Sequence, residues 1–255
     1  MKLVLTKERF ERLVNASCIM GQISAGLLQV EENKIIASNQ DPGASHMGYC
    51  VFGKNFFREY DPGDKKLIPV LSEYKNVLGY GYATDDMLTF LVEGDKLNIL
   101  GKSEMYGDSL MEVGERGINP LEVIPSAAKF AETEGIGYLP ATGRPPYAQF
   151  KVQSKLLQMP KLGETVKIGT GDKVDSKLIY LSVVADEKNF NRALPTSAMR
   201  TFTPSKSSKY YIESLTKFAS FFPDEVWVTL YEGAITLSSL LADFAVSFFM
   251  TEVVG

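Results

Sequence analysis

The sequence predicts an α+β protein of two tandem domains, each with antiparallel sheets and two short helices on one face of the sheets. Two observations support this prediction: a pattern of helices and strands that occurs twice, and a segment rich in proline and glycine between the copies. The length of 255 residues suits two domains of ordinary size. Hydrophobic residues form 45% of the chain, which is enough for a core in each domain.

The repeat is clearest in a predicted β-hairpin that occurs at residues 85–100 and again at residues 224–237. In each copy an acidic pair opens an apolar, β-rich run, Glu-Gly ends that run, and a second apolar run follows. Glu-Gly between two such runs is typical of a hairpin turn. Because similar hairpins also arise by chance, this motif needs support from the rest of the chain.

Amphipathic segments at matching positions supply that support. The periodicity predicts helices at residues 8–20 and 71–78 in the first copy, and at 147–159 and 211–218 in the second. The matching order of helices and hairpins favours an internal duplication. Further strands are predicted at residues 26–30, 34–38, 48–52, 104–113, 165–168, 178–185 and 244–253.

Residues 114–146 separate the two copies and have the composition of a linker, with five prolines and several glycines. An apolar island at residues 121–124 interrupts this polar segment. The sequence therefore predicts domain one at residues 1–113, an interdomain connector at 114–146 and domain two at 147–255.

Few residues suit catalysis or metal binding. The chain has one histidine, His46, and two cysteines, Cys18 and Cys50, which are too few ligands for a zinc site of the usual kind. The glycine-rich stretches at residues 79–81 and 169–173 lack the spacing of phosphate-binding loops. We therefore expect a protein without enzymatic activity and without a cofactor. The alternatives are a hydrolase or transferase with an unrecognised site, and a structural β-rich assembly protein.

The expected location follows from the hydrophobic pattern. No segment approaches the roughly 20 continuous apolar residues of a membrane helix, and the first residues do not resemble a signal peptide. We expect an intracellular protein without membrane contact. It would be cytoplasmic in a prokaryote or in a virus of a prokaryotic host, and nuclear in a eukaryote.

Basic residues occur on or beside all four predicted helices, although the net charge of the chain is −4. If the helices share one side of the sheets, they form a basic surface that would contact phosphates without sequence preference. Solvated helix faces are often rich in lysine, so this pattern alone does not establish DNA binding. The candidate DNA-binding residues are Lys7, Arg9, Arg12, Lys75, Lys151, Lys155, Lys161, Lys209 and Lys217.

Three segments carry a family resemblance: a turn at residues 38–47, a helix and hairpin at 211–233, and an aromatic terminal strand at 246–252. The turn contains Asp-Pro and Ser-His-Met with an insertion between them, and Met-Thr-Glu replaces a Leu-Ala-Pro tail. These segments resemble the DNA sliding clamp family, typified by proliferating cell nuclear antigen (PCNA), with the phage clamps as more distant relatives.

The resemblance implies a DNA polymerase processivity factor that forms a homo-oligomeric ring, expected to be a trimer, around duplex DNA. Such a ring would tether the polymerase, the clamp loader and other replication and DNA repair proteins. Positive helices would line its central hole, so that only the inner surface needs to be basic. This arrangement is compatible with the net charge of −4.

The resemblance also implies two protein-binding surfaces. Partner peptides would insert between the connector and the C-terminal tail, which would involve Gln40, His46, Leu121, Val123, Ile124, Met250 and Thr251. Ring closure would pair an edge strand at residues 104–113 with an edge strand at residues 178–185 of the next subunit. The residues expected at this subunit interface are Tyr106, Ser109, Met111, Leu178, Tyr180, Leu181 and Val183.

Overall fold

The computed structural model describes residues 1–64, 67–77, 86–93, 96–103, 107–113, 124–125, 129–159, 163–185 and 188–253. For residues 76–77, 96, 107, 109, 111–113, 124–125, 184–185 and 188–189 it describes the backbone only. The chain divides into two compact units. Unit 1 comprises Met1–Ala127 and Leu241–Val246, and unit 2 comprises Ala128–Leu240 and Ser247–Gly255. The division between the units lies within the predicted connector, and a short C-terminal segment belongs to unit 1.

Unit 1 begins with a strand that leads directly into a helix. Its helices are α1 (Lys7–Ser17) and α2 (Tyr74–Val77). Its strands are β1 (Lys2–Thr6), β2 (Ala25–Val30), β3 (Lys34–Gln40), β4 (His46–Gly53), β5 (Glu59–Asp61), β6 (Leu67–Leu71), β7 (Met87–Glu93), β8 (Lys96–Ser103), β9 (Gly107–Val113) and β10 (Ile124–Pro125). Short 3₁₀ helices follow α1 and β4, at Ile19–Gly21 and Lys54–Phe56.

The strands of unit 1 form two antiparallel arrangements. One sheet has the order β5-β1-β7-β8-β9, which leaves β9 at an edge. In the other arrangement β4, β3, β2 and β6 are neighbours in that order, and β10 pairs with β3. The C-terminal segment of unit 1 contacts β4, where the Gly53 N–H donates to the Asp243 carbonyl at 3.0 Å.

Helix α1 packs against strands of both sheets of unit 1, because its apolar side chains share one face. Thr6 caps the helix and accepts a hydrogen bond from the Arg9 N–H at 3.3 Å. Phe10, Leu13 and Val14 are buried, and the Phe10 ring lies 6.3 Å from the ring of Phe90 on β7. Burial of this stripe holds the helix on the two sheets and leaves its charged face in solvent.

Unit 2 starts with a hairpin that the sequence did not indicate, β11 (Phe130–Thr133) and β12 (Gly137–Pro140). Helix α3 (Ile212–Ser220) packs through Phe218, whose ring stacks on that of Phe248 at 4.9 Å. The other strands are β13 (Ala148–Gln153), β14 (Thr165–Thr170), β15 (Ile179–Ala185), β16 (Lys188–Leu194), β17 (Ala198–Phe202), β18 (Ser207–Tyr211), β19 (Glu225–Tyr231), β20 (Ala234–Leu240) and β21 (Phe244–Thr251). The first three residues of β21 are counted in unit 1, and the rest of the strand in unit 2.

The strands of unit 2 also form two antiparallel arrangements. A four-stranded sheet has the order β16-β15-β14-β18. In the other arrangement β17, β13, β19, β20 and β21 are neighbours in that order. The sheet order β4-β3-β2-β6 in unit 1 therefore corresponds to β16-β15-β14-β18 in unit 2, with a helix after the last strand of each set. Hairpins β7–β8 and β19–β20 occupy the positions that the repeat predicted.

The prediction of a helix at residues 147–159 is wrong, because this segment forms β13 and a one-turn 3₁₀ helix at Ser154–Leu156. Strand β13 pairs with β17 on one side and with β19 on the other. Ala148, Phe150 and Val152 are fully buried in this central position. Backbone pairing on both sides and burial outweigh the local helical pattern here. Between β13 and β14 the described residues therefore contain no counterpart of α1.

Candidate DNA-binding and protein-binding surfaces

Two cations of helix α1 form ion pairs on the helix itself. The Lys7 ammonium lies 3.8 Å from the Glu11 carboxylate, and the Arg12 guanidinium lies 3.1 Å from the Glu8 carboxylate. The helix carries three basic and two acidic side chains, so its net charge is only +1. Only 14% of the Lys7 side chain and 27% of the Arg12 side chain is exposed, so both cations are partly shielded from solvent.

Arg9, by contrast, is bound on several sides within unit 1. Its Nη1 donates to the carbonyls of Asn55 at 2.9 Å and Phe56 at 2.6 Å, and its Nη2 donates to the Asp243 carboxylate at 2.7 Å. The guanidinium also lies 5.3 Å from the centre of the Phe56 ring. These contacts join the first turn of α1 to two distant segments, which is a structural role.

Lys75 lies on the single turn of α2 and donates from its ammonium to the Asn15 side chain at 3.0 Å. This bond links α2 to α1, so three basic residues of unit 1, Lys7, Arg12 and Lys75, lie on or beside the helix pair. The other end of the predicted helix at residues 71–78 extends beyond the described residues.

The predicted DNA-binding residues of unit 2 lie on different kinds of element. Lys151 lies on strand β13, and its ammonium is 2.8 Å from the Glu225 carboxylate. This hydrogen bond, with a smaller effect from Ser197, lowers the pKa of Glu225 below its usual range. Lys155 lies on the 3₁₀ turn and is exposed. The expectation that Lys151 and Lys155 lie on or beside an α-helix is wrong, because Lys151 lies on β13 and Lys155 lies on a single 3₁₀ turn.

Among the described residues of unit 2, one predicted DNA-binding residue lies on an α-helix. Lys217 on α3 pairs with Glu213 at 2.8 Å. Lys209 is exposed on β18, on the solvent face of the four-stranded sheet. Lys161 lies outside the described residues.

The turn between β3 and β4 is held by Asp41. Its Oδ1 accepts a hydrogen bond from the His46 N–H at 2.6 Å, and its Oδ2 accepts one from the Ser45 hydroxyl at 2.8 Å. The Ser45 hydroxyl also lies 2.9 Å from the His46 ring Nδ1. These contacts close the turn. They place His46 at the end of β4, next to Gln40 at the end of β3.

The connector contacts the same end of this sheet. Ile124 of β10 is the register partner of Gln40, and Pro125 is the partner of Asn39. The structure therefore brings three of the predicted partner-binding residues, Gln40, His46 and Ile124, to one end of the β3–β4 hairpin. Leu121 and Val123 lie outside the described residues.

The outer face of the same sheet is apolar, which the sequence reasoning missed. Leu67 on β6 is 51% exposed. Leu27, Ile36 and Val51 on the neighbouring strands are half-buried and share this face through the strand register. The alternation of fully and partly buried residues along β3 is the signal that marks such a face, because successive side chains point to opposite sides.

The C-terminal tail is attached to unit 2 by backbone hydrogen bonds. The Glu252 N–H donates to the Gly233 carbonyl at 2.7 Å, and the Val253 N–H donates to the Lys209 carbonyl at 2.9 Å. Of the two predicted partner-binding residues here, Met250 is buried and Thr251 is exposed. Thr251 alone therefore presents its side chain to solvent.

The predicted subunit-interface strand in domain two is wrong. Residues 178–185 were expected to form an edge, but β15 lies inside its sheet, between β14 and β16. Leu181 and Val183 are fully buried, Tyr180 is half-buried, and Leu178, which precedes the strand, is 42% exposed. The edge strand on this side is β16, whose one partner in the described part of the chain is β15.

Strand β9 is at an edge of its sheet, in the segment predicted for ring closure. Of the residues expected there, Ser109 and Met111 lie on β9, and Tyr106 is outside the described residues. The two edge strands differ in charge. Strand β9 contains Asp108 and Glu112 and no cation, whereas β16 contains Lys188 and Arg192 and no acid.

The described residues offer few groups suited to catalysis or metal binding. Within the described ranges, no three His, Cys, Asp or Glu side chains are grouped so that they can hold a metal ion. Cys18 and Cys50 are buried as free thiols, and burial raises the pKa of Cys18 to about 12. No helix in the part of the chain that is described has the length and apolar character needed to span a membrane.

Comparison with known proteins shows similarity in the fold of the chain but not in its sequence. No family model matches the chain, and no curated protein matches its sequence. In contrast, the structure is similar to Archaeoglobus fulgidus PCNA bound to the C-terminal region of FEN-1, with a TM-score of 0.75 and 14% identity over 100% of this chain and 98% of the other. It is also similar to the PCNA2–PCNA3 complex of Sulfolobus tokodaii, with a TM-score of 0.72 and 12% identity over 99% of each chain. The chain therefore has a PCNA-like sliding-clamp fold.

Proposed function

We propose that the chain is a DNA polymerase processivity factor, a non-enzymatic subunit of a ring that encircles duplex DNA. The observation that carries this proposal is the similarity to PCNA structures over both units and nearly the full length of the chain. A likeness confined to one unit would support a shared domain and no more. A clamp-like fold with few side chains suited to catalysis is best explained by a protein that encircles DNA and tethers other proteins to it.

The two edge strands support assembly into a ring. An edge strand offers unpaired backbone groups to another chain. Strand β9 carries two acids and β16 carries two bases, so the edges of two copies attract each other head to tail. Such a contact between different surfaces forms a closed ring when the rotation permits. We propose three copies, joined by pairing of β9 with β16 in place of the predicted residues 178–185.

Contact with DNA in this proposal is weak and exchangeable. The ion-paired cations Arg12 and Lys217 can exchange a carboxylate for a passing phosphate, because ion pairs at the surface contribute little to stability. Phosphate contacts carry no sequence information, and the affinity that they provide falls as the salt concentration rises. Retention on DNA then depends on encirclement, and sliding remains easy.

Partner proteins in this proposal bind unit 1 at the connector. Strand β10 on β3 and the apolar outer face around Leu67 offer both backbone and hydrophobic contacts. The A. fulgidus PCNA structure contains a C-terminal region of FEN-1, so a protein of this fold binds a terminal peptide. We propose that polymerase, clamp loader and repair proteins reach this chain in the same way.

A retention assay on circular and linear DNA tests the proposal. The protein is loaded on nicked circular DNA with its cognate loader, challenged with an excess of competitor DNA, and compared before and after linearisation. Encirclement predicts retention on the circle and rapid loss from linear DNA, together with longer products from the cognate polymerase. A variant with Lys188→Glu and Arg192→Glu serves as the control that cannot close the ring. Equal retention of the unmodified protein on circular and linear DNA would falsify encirclement.

A further inference from the structure

Two lysines lie side by side on the solvent face of the four-stranded sheet in unit 2. Lys167 on β14 and Lys209 on β18 are direct register partners, and both are exposed. Opposed residues in an antiparallel pair have Cβ atoms about 4.5–5.5 Å apart, and like charges in this position are destabilising. Among the described residues neither ammonium group has an ion-pair partner. The Glu252 carboxylate accepts a hydrogen bond from the Lys209 backbone N–H at 3.2 Å, so one acid lies beside the pair and offsets part of this repulsion.

The surroundings of the lysine pair are polar and aromatic. The register continues from Lys167 to Ser182 and Asn191 across the sheet. Tyr211, two residues after Lys209 on the same face, is 50% exposed. We call Lys167, Lys209 and Tyr211 the basic face. The opposite side of these strands is fully apolar at Val166 and Ile168, which face the core of unit 2.

A second tyrosine borders the basic face. Tyr180 is the register partner of Gly169, and a Cβ atom at Gly169 would lie 2.6 Å from the Tyr180 hydroxyl oxygen. Only glycine lets the tyrosine ring cross this strand. The ring and the side chains of Lys167 and Lys209 share the solvent face of the sheet, because direct partners point to the same side.

The basic face is specific to unit 2. In the corresponding sheet of unit 1, strands β2 and β6 occupy the positions of β14 and β18. There the outer face carries Leu27, Gln29 and Leu67 and is mainly apolar. The fold is the same, so the lysine pair follows from the sequence of unit 2 and not from the architecture. The two outer faces therefore suit ligands of different chemistry.

We propose that the basic face binds single-stranded nucleic acid, with Lys167 and Lys209 on phosphates and Tyr211 stacked on a base. Proteins that bind single strands combine positive charge along the backbone with exposed aromatic rings, and tolerate any sequence. An acidic peptide also suits the two lysines but makes no use of a half-exposed tyrosine ring. The inference goes beyond the proposed function, which needs only duplex DNA inside a ring.

Fluorescence anisotropy with a labelled oligo(dT) strand measures this binding over a series of salt concentrations. The Lys167→Ala and Lys209→Ala double variant is expected to bind weakly, with a slope of log K against log salt reduced by about 1.4, since each phosphate contact on a single strand contributes about 0.7. Tyr211→Ala is expected to lower affinity about tenfold with the slope unchanged, because stacking is not ionic.

The matched control removes the same charge from two exposed lysines elsewhere in unit 2, with Lys129→Ala and Lys173→Ala. Its affinity and salt slope should equal those of the unmodified protein. Thermal melting at low salt gives a second readout, since removal of the opposed charges should leave the Lys167→Ala and Lys209→Ala variant as stable as the original or more stable.

Three outcomes overturn the proposal. The first is that the unmodified protein does not bind oligo(dT), and the second is that the control and the basic-face variant lose the same amount of affinity for oligo(dT). The third is that a glutamate-rich peptide binds more tightly than oligo(dT). The last result would assign the face to an acidic protein segment. If the unmodified protein lengthens polymerase products but does not bind oligo(dT), this inference fails and the proposed function stands.

Discussion

The buried side chain of Asn39 joins the end of helix α1 to strand β2, as its Nδ2 donates to the Ser17 carbonyl at 3.0 Å. Its Oδ1 accepts a hydrogen bond from the Leu27 N–H at 3.0 Å. Asn39→Ala leaves both backbone groups without this partner. We expect the free energy of unfolding in urea to fall by about 1–3 kcal/mol. Ser38→Ala, on the outer face of the same strand, should change it by less than about 0.5 kcal/mol. Equal effects of the two substitutions would contradict the bridging role of Asn39.

Arg9 and Arg12 were both predicted to contact DNA, but their surroundings differ. Arg9→Ala removes three hydrogen bonds to Asn55, Phe56 and Asp243, and we expect it to lower the free energy of unfolding by about 2 kcal/mol. Arg12→Ala removes one exposed pair and should cost less than about 0.5 kcal/mol. Arg9→Lys should not restore stability, since lysine cannot supply the planar fork. If Arg9→Ala proves as stable as Arg12→Ala, Arg9 returns to the set of DNA contacts.

The charges on the two edge strands predict how copies assemble. Asp108→Lys with Glu112→Lys makes both edges basic, and we expect sedimentation velocity to show dissociation into single chains. Adding Lys188→Glu and Arg192→Glu to that variant exchanges the signs on both edges and should restore the original mass. Rising salt should weaken the original assembly, because exposed charges are screened. An unchanged mass in the first variant would place the subunit interface elsewhere.

The connector prediction concerns an apolar contact. Leu121→Asp with Ile124→Asp should abolish the binding of clamp-interacting peptides, because burial of a carboxylate in an apolar groove is strongly unfavourable. Isothermal titration measures the peptide affinity, and sedimentation checks that assembly is intact. Ala131→Asp with Leu240→Asp is the matched control, as both side chains are exposed in unit 2. Peptide affinity that survives in the connector variant would show that partners bind another surface.

Buried tyrosines predict how the protein responds to alkali. Burial, with a smaller effect from Glu31, raises the pKa of Tyr60 to about 12, and burial raises that of Tyr231 to about 12. The ordinary pKa of tyrosine is about 10 in the unfolded chain. The neutral form is therefore favoured by folding, so this stability is fully present below about pH 10 and is lost as the pH rises towards about 12. Urea unfolding at several pH values should show that the free energy of unfolding falls over the same pH range in which tyrosinate absorbance rises. Ionisation of all tyrosines near pH 10 in folded protein would contradict this prediction.

Local signals were enough to predict some elements. The hairpins β7–β8 and β19–β20 have alternating apolar residues and a turn signal in consecutive positions, so neighbours along the chain determine them. Strand β13 was missed because its apolar residues also fit a helical period, and pairing with β17 and β19 decides between the two. Such pairing partners are distant in the sequence.

The predicted interface shows why edge strands are hard to recognise. Strand β16 has the sequence Lys-Asn-Phe-Asn-Arg-Ala-Leu and lacks an apolar run. Edge strands commonly carry charge, which prevents uncontrolled pairing. Strand β15, with buried Leu181 and Val183, has the stronger β pattern because it is an interior strand. The role of Arg9 was equally hidden, since its carboxylate partner Asp243 is near the other end of the chain.

Unit 1 is not a continuous stretch of chain, because Leu241–Val246 completes it. A chain that ended at Ala127 would lack the Asp243 carbonyl that binds Gly53 and the carboxylate that binds Arg9. The coding sequence for residues 1–127 therefore does not encode the whole of unit 1. During synthesis, unit 1 cannot finish folding until Leu241–Val246 has left the ribosome. Recombination that joined a new second half at the connector would also have to supply this terminal segment.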